Sequence, residues 1–221
     1  MRCRLALILS LGLTPAHAQG PNLAPAAEDP PGAASQLVLA QHLYRKAVGT
    51  GDPVLLLAAI RMARGVTMRP AVGWERKAGG GDEPPQGNGP PDPAGTAALA
   101  MLQGLAVDDP DLQDLVYDLD AQLPQGRLPV AAVARSGLGG GTDEDWLLPL
   151  SGSVAAEIAV IGDGSSALGL TVTDDSGAVV CSRPAATDPA LCRFTPERNG
   201  FFGVRVSNRG AGANVYLLVG N

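Results

Sequence analysis

Catalysis needs a nucleophile, a base or a metal held in a fixed constellation, and the residues able to provide one are few in this chain. Of its two histidines, His17 falls in an N-terminal stretch that reads as a removable leader. That leaves His42, which stands in AQHLYRK on a predicted helix, where a surface or packing role accounts for it. The sequence contains no H-E-x-x-H, no G-x-S-x-G and no phosphate-cradling glycine loop with its lysine. Acids abound, so carboxylate chemistry stays open, but no pair stands out. Asp143, Glu144, Asp145, Asp163, Asp174 and Asp175 lie near predicted turns, where oxygen ligands for Ca²⁺ can converge. Their spacing does not match D-x-D-x-D-G, and turn capping explains them. No catalytic residue, metal ligand set or cofactor is expected.

Recognition by a sheet face would draw on exposed aromatics. The chain has eight: Tyr44, Trp74, Tyr117, Trp146, Phe194, Phe201, Phe202 and Tyr216. Most fall at core phases, Tyr216 among them. Phe202, Val204 and Val206 alternate with Gly203, Arg205 and Ser207, so Phe201 shares the opposite face with Arg205. Phe201 and Arg205 are therefore the candidate exposed contact. Trp74, beside a Gly/Pro-rich stretch, reads equally as a contact or as a packing anchor of the helical half.

Behind these residues stands a chain of two compositions. It opens with MRCRLALILSLGLTPAHA, a basic start, a short apolar run and an A-x-A site, which predicts a cleaved signal peptide over 1–18. The apolar run is too short to span a bilayer. Cleavage removes Arg2 and Arg4 and takes the net charge from −6 to −8. Such an acidic surface repels phosphate backbones and anionic lipid, so nucleic acid and membrane are poor partners. Cys3 leaves too, and Cys181 and Cys192 remain as an even pair in an oxidising compartment. A disulfide between them is expected.

Residues 19–32, rich in Pro, predict a flexible leader. Apolar residues at helical spacing predict helices over 33–48, 54–64, 96–107 and 110–122. Asp52-Pro53 and Asp109-Pro110 supply an N-cap and a first-turn proline for the second helix of each pair. The two Asp-Pro steps admit a helical repeat, but a four-helix unit over 33–123 is the plainer reading. Residues 78–93 hold ten Gly or Pro and predict a disordered loop. After a Pro-bounded linker, short β-branched segments punctuated by turn residues predict strands at 130–134, 145–148, 154–161, 168–173, 178–181, 202–206 and 215–219. Residues 136–142 read as loop. The fold class is α+β: N-terminal helical hairpins, then an antiparallel β-sandwich or jelly roll over 128–221.

That last third resembles the bacterial pre-peptidase C-terminal domain family. The resemblance rests on the start Asp145-Trp146-Leu147, the hairpin from Leu168 to Gly177, the strand from Gly200 to Val206, and the closing Asn214-Val215-Tyr216-Leu217. It covers no catalytic motif. The family implies a secreted, non-catalytic jelly-roll appendage, usually attached to a peptidase; the other half of this chain is helical and shows none.

These readings converge on an exported binding or structural module, periplasmic or extracellular, that contacts another envelope or extracellular protein. The alternatives are a polysaccharide-binding module, marked by a row of exposed aromatics, and a secreted hydrolase working through carboxylates or Ca²⁺, marked by a buried acid pair in a cleft.

Overall fold

The computed structural model describes residues 20–25, 29–79, 87–121, 128–185 and 188–221; the signal peptide expected over 1–18 lies outside them. Four helices form where the periodicity placed them: α1 (Ala33–Thr50), α2 (Pro53–Arg64), α3 (Thr96–Leu105) and α4 (Pro110–Ala121). Asp52 Oδ1 accepts the Val54 and Leu55 N–H groups at 2.9 and 3.0 Å, and Asp109 Oδ1 accepts that of Leu112 at 3.0 Å. Each Asp thus satisfies donors the first helical turn leaves orphaned. Gly51, at φ 68°, ends α1 in the left-handed region and lets the chain turn back within two residues. Ala47, Leu56, Ile60, Leu99, Leu102 and Val116 close the helical core.

The described residues also form ten strands, two between α2 and α3 and the rest after α4: β1 (Thr67–Pro70), β2 (Glu75–Gly79), β3 (Val130–Leu138), β4 (Asp143–Leu150), β5 (Ala156–Gly162), β6 (Leu168–Thr173), β7 (Val179–Arg183), β8 (Ala190–Phe194), β9 (Gly200–Asn208) and β10 (Asn214–Gly220). They make two five-stranded sheets, ordered β1-β3-β10-β5-β8 and β2-β4-β9-β6-β7. Every pairing is antiparallel except the parallel β1–β3. Leu148, Ile158, Leu170, Phe202, Val204 and Leu218 fill the space between the sheets. The outer face of the first sheet is covered in turn by α1, where Ala34, Leu37 and Val38 pack on Ala159, Ile161 and Val219. The result is three layers, helices over sheet over sheet. It explains why β5 is buried at all seven positions and β10 reads as apolar on both faces.

Polar contacts fix α1 at both ends. The buried Glu157 of β5 accepts the Gly32 and Ser35 N–H groups at 2.8 and 2.9 Å and the Ser35 hydroxyl at 2.5 Å. It caps the helix from another element, and a Cβ at Gly32 would sit 2.9 Å from its Oε2. Near the other end, Arg45 donates to the Gly162 and Asp188 carbonyls, both at 2.7 Å, and to Asp188 Oδ2 at 3.2 Å.

Several sequence expectations need correction. The boundary between a helical unit ending at 123 and a sandwich starting at 128 does not hold, because β1 and β2 come from the helical half and enter opposite sheets. These strands carry no alternating apolar pattern, since β1 is mostly exposed and both are sheet margins held by backbone pairing. Trp74, between them, packs against the sandwich core rather than the helices, and Gly220 leaves room for its ring. The expected loop at 78–93 is partly ordered: β2 runs to Gly79, and Arg135 holds the Gly87 carbonyl at 2.7 Å; residues 80–86 lie outside the described residues. The expected loop at 136–142 is strand as far as Leu138, which pairs with Asn214. Part of the expected flexible leader is also anchored. Asn22 is buried and bonded to Asp174 and Arg198.

The expected disulfide is present. Cys181 and Cys192, with Cα atoms 5.9 Å apart, join β7 and β8, margins of opposite sheets. At the opposite side, residues 71–74 join β1 to β2, so the two sheets are tied along both margins.

Candidate functional site

Because α1 covers the outer face of the first sheet, the open face of the sandwich belongs to the second. Alternation decides what it shows. In β4, Trp146 and Leu148 point inward, which turns Asp145, Leu147 and Pro149 outward. In β9, Phe202, Val204 and Val206 are buried while Phe201 and Arg205 are exposed. Thr171 and Thr173 of β6 are half-buried on the same outward phase.

Register then assembles rows across the strands. Asp145 lies opposite Arg205, Arg205 opposite Thr171, and Thr171 opposite Ser182. Arg205 grips Asp145 with both prongs, Nε to Oδ1 at 2.7 Å and Nη2 to Oδ2 at 2.9 Å. These bonds, and the carboxylate charge behind them, raise the Arg205 pKa above its ordinary value. Thr171 and Ser182 share a hydroxyl contact at 3.1 Å. The next row runs Leu147, Gly203, Thr173, Val179. Gly203 is its floor: a Cβ there would stand 2.7 Å from Thr173 Oγ1. A depression of about 370 Å³ opens above it, walled by Arg205, Asp145, Thr171, Thr173, Leu147 and Lys77. In the third row Phe201 faces Pro149, and the residue is 56% exposed.

Charge on and around this sheet is balanced locally. Lys77 pairs with Glu75, Arg205 with Asp145, Arg209 with Asp143 and Arg198 with Asp175. The net negative charge of the chain is thus not concentrated here.

The two residues singled out from the sequence, Phe201 and Arg205, do share this face and flank Gly203. Sequence alternation had already placed Gly203 on this face, but it did not assign Asp145, Leu147 and Pro149 to the same patch. The inward phase of Trp146 and Leu148 was a usable signal for β4, but cross-strand register has no counterpart in the sequence.

The other groups considered for chemistry are engaged elsewhere. Asp143, Glu144 and Asp145 are consecutive, yet the strand turns the middle one inward. Glu144 is fully buried, where it accepts from Arg76 Nε and the Tyr216 hydroxyl and, at 3.3 Å, from Trp146 Nε1. Burial, then the nearby Glu144 charge, pushes the Tyr216 phenol upward. These partners knit the two sheets together. Asp174 is occupied by Asn22, Ser176 and Ala178. His42 sits exposed on α1; partial burial and then the Arg45 charge lower its pKa, against the opposing pull of Asp188.

No family model matches the sequence, and no curated protein matches it. Among solved structures, the pre-peptidase C-terminal domain of a collagenase from Bacillus anthracis is similar at 16% identity. It covers 40% of this chain and 87% of that one, with a TM-score of 0.33. A periplasmic inhibitor of g-type lysozyme from Aeromonas hydrophila is similar at 12% identity over 41% of this chain and 84% of that one, TM-score 0.32. A C-terminal CBM6 domain of a laminarinase from Zobellia galactanivorans is similar at 12% identity over 40% and 89%, TM-score 0.25. These likenesses carry no argument about activity.

Proposed function

We propose that the protein is an exported, non-catalytic binding module that contacts another protein of the bacterial envelope through the open face of its second sheet. The observation that supports this reading most directly is the arrangement on β9. One exposed aromatic, Phe201, stands on a rigid strand beside a bidentate Arg205–Asp145 pair, with a glycine-floored depression between them. Aromatic and Arg side chains are enriched at the cores of protein interfaces. Held on a strand by a carboxylate, Arg205 loses little conformational freedom on binding and still has N–H groups to offer. With its charges paired locally, the face suits a neutral partner surface carrying an apolar pocket for Phe201. A leader that reads as a signal peptide and the Cys181–Cys192 bond support a periplasmic or extracellular location. Among the described residues, no helix is long and apolar enough to cross a membrane.

Glycan binding is the second reading. It would draw on a row of aromatics stacking successive sugars, whereas Phe201 is the one exposed aromatic of this face among the described residues.

A photo-crosslinking residue placed at Phe201, in protein exported in its own host, tests the proposal. One dominant protein adduct, abolished by Arg205→Glu, is the expected result. No protein adduct, with the protein instead retained on envelope polysaccharide, would replace this reading with the glycan one.

A further inference from the structure

A second feature lies on the other side of the molecule, between the helices and the first sheet. A cavity of about 190 Å³ opens there, lined by Leu37, Ile161, Leu217, Pro90, Pro93 and Gln41, with the half-exposed Met68 at its rim. Its walls are hydrocarbon almost throughout. Gln41 is the exception among its buried side chains: it is 2% exposed, and its Nε2 has no hydrogen-bond partner. The carboxylate in the lining, Asp92, is exposed, and its Oδ1 accepts the Ala94 N–H at 2.9 Å.

Native interiors rarely leave a buried donor unpaired, and one that is calls for an explanation. Water is a poor one here. A buried water holds its place through two to four polar partners, and a space beside a single amide in apolar walls gives it about one. An apolar cavity of about 150 Å³ is enough to hold benzene, so this one has room for a ring of that size and a small polar substituent. Asp92 in the lining disfavours an anion. We infer that the cavity is a binding site for a small neutral molecule with an apolar body and one hydrogen-bond acceptor, of the class of aryl or short alkyl ketones. The body fills the space between α1 and the first sheet, and the acceptor takes the Gln41 N–H. The site is independent of the Phe201 face and stands or falls without it.

The test compares 4-fluoroacetophenone with 4-fluoroethylbenzene, which has a similar shape without the carbonyl, by ¹⁹F NMR titration of the purified protein. The expected result is at least tenfold tighter binding of the ketone, a preference that disappears in Gln41→Met. Gln41→Leu repeats the test should the first variant melt early. No perturbation of either probe up to its solubility limit overturns the inference. So does equal binding of the two, or a ketone preference that survives both substitutions.

Discussion

The Asn22 N–H donates to Asp174 Oδ2 at 2.6 Å across 152 residues of chain, tying the segment ahead of α1 to the turn after β6. The same carboxylate receives Ser176 N and Oγ and Ala178 N at its other oxygen. Burial of Asp174 pushes its pKa up, but the bonds from Ser176, Asn22 and Ala178 outweigh it, and the net shift is downward from 3.8.

A carboxyl whose pKa is lower in the folded state stabilises that state above its unfolded value, and the contribution is lost as pH falls through the folded value. Urea unfolding should therefore show Asp174→Ala destabilised by about 3 kcal/mol at neutral pH, since bonds to a charged group are worth roughly 1.5–3 kcal/mol each. Below about pH 4 the gap between wild type and variant should narrow. A gap of the same size at pH 2.5 would contradict the assignment.

Gly203 should resist substitution for a reason that a second change can remove. Gly203→Ala is expected to cost about 1–2 kcal/mol, within the range for a side chain forced against a neighbour, because its Cβ would stand 2.7 Å from Thr173 Oγ1. In a Thr173→Ala background the same substitution should cost distinctly less. Thermal melts of the four proteins in the cycle measure that coupling.

Phe201→Ala should leave stability within about 0.5 kcal/mol, as is usual for exposed positions away from special contacts. Its effect should appear in partner capture instead. A loss of capture accompanied by an equally large fall in melting temperature would point to a structural role.

Reducing the Cys181–Cys192 bond, or replacing both cysteines by serine, should cost about 3 kcal/mol by the chain-entropy estimate for so short a loop. Urea unfolding with and without reductant reads this directly. Because the bond ties opposite sheets, loosening of β7 and β8 should dominate the change in amide exchange.

The legible parts of the fold were those whose burial repeats with a period. The helices announced themselves through apolar spacing and Asp-Pro starts, and β9 through strict alternation, which also placed Phe201 and Arg205 on one face. What stayed hidden depends on partners distant in sequence. TMRP and ERKAG carry no apolar rhythm, because as sheet margins they are held by backbone pairing. Asn22 sits in a Pro-rich stretch that suggests no structure, yet its fixing groups lie more than 150 residues on. Glu144 between Asp143 and Asp145 looked like one acidic cluster, and only the strand geometry parts them.

The four strands at the sandwich margins have a consequence for how the protein behaves at high concentration. β1, β2, β7 and β8 are four or five residues long. Pro70 removes a donor from β1, and the registers of β2–β4 and β6–β7 are each interrupted by an irregularity. Short, irregular margins make poor templates for a strand from another molecule. The protein can therefore keep a broad sheet face exposed to its surroundings while its own copies are denied the edge-on stacking that leads to fibrils.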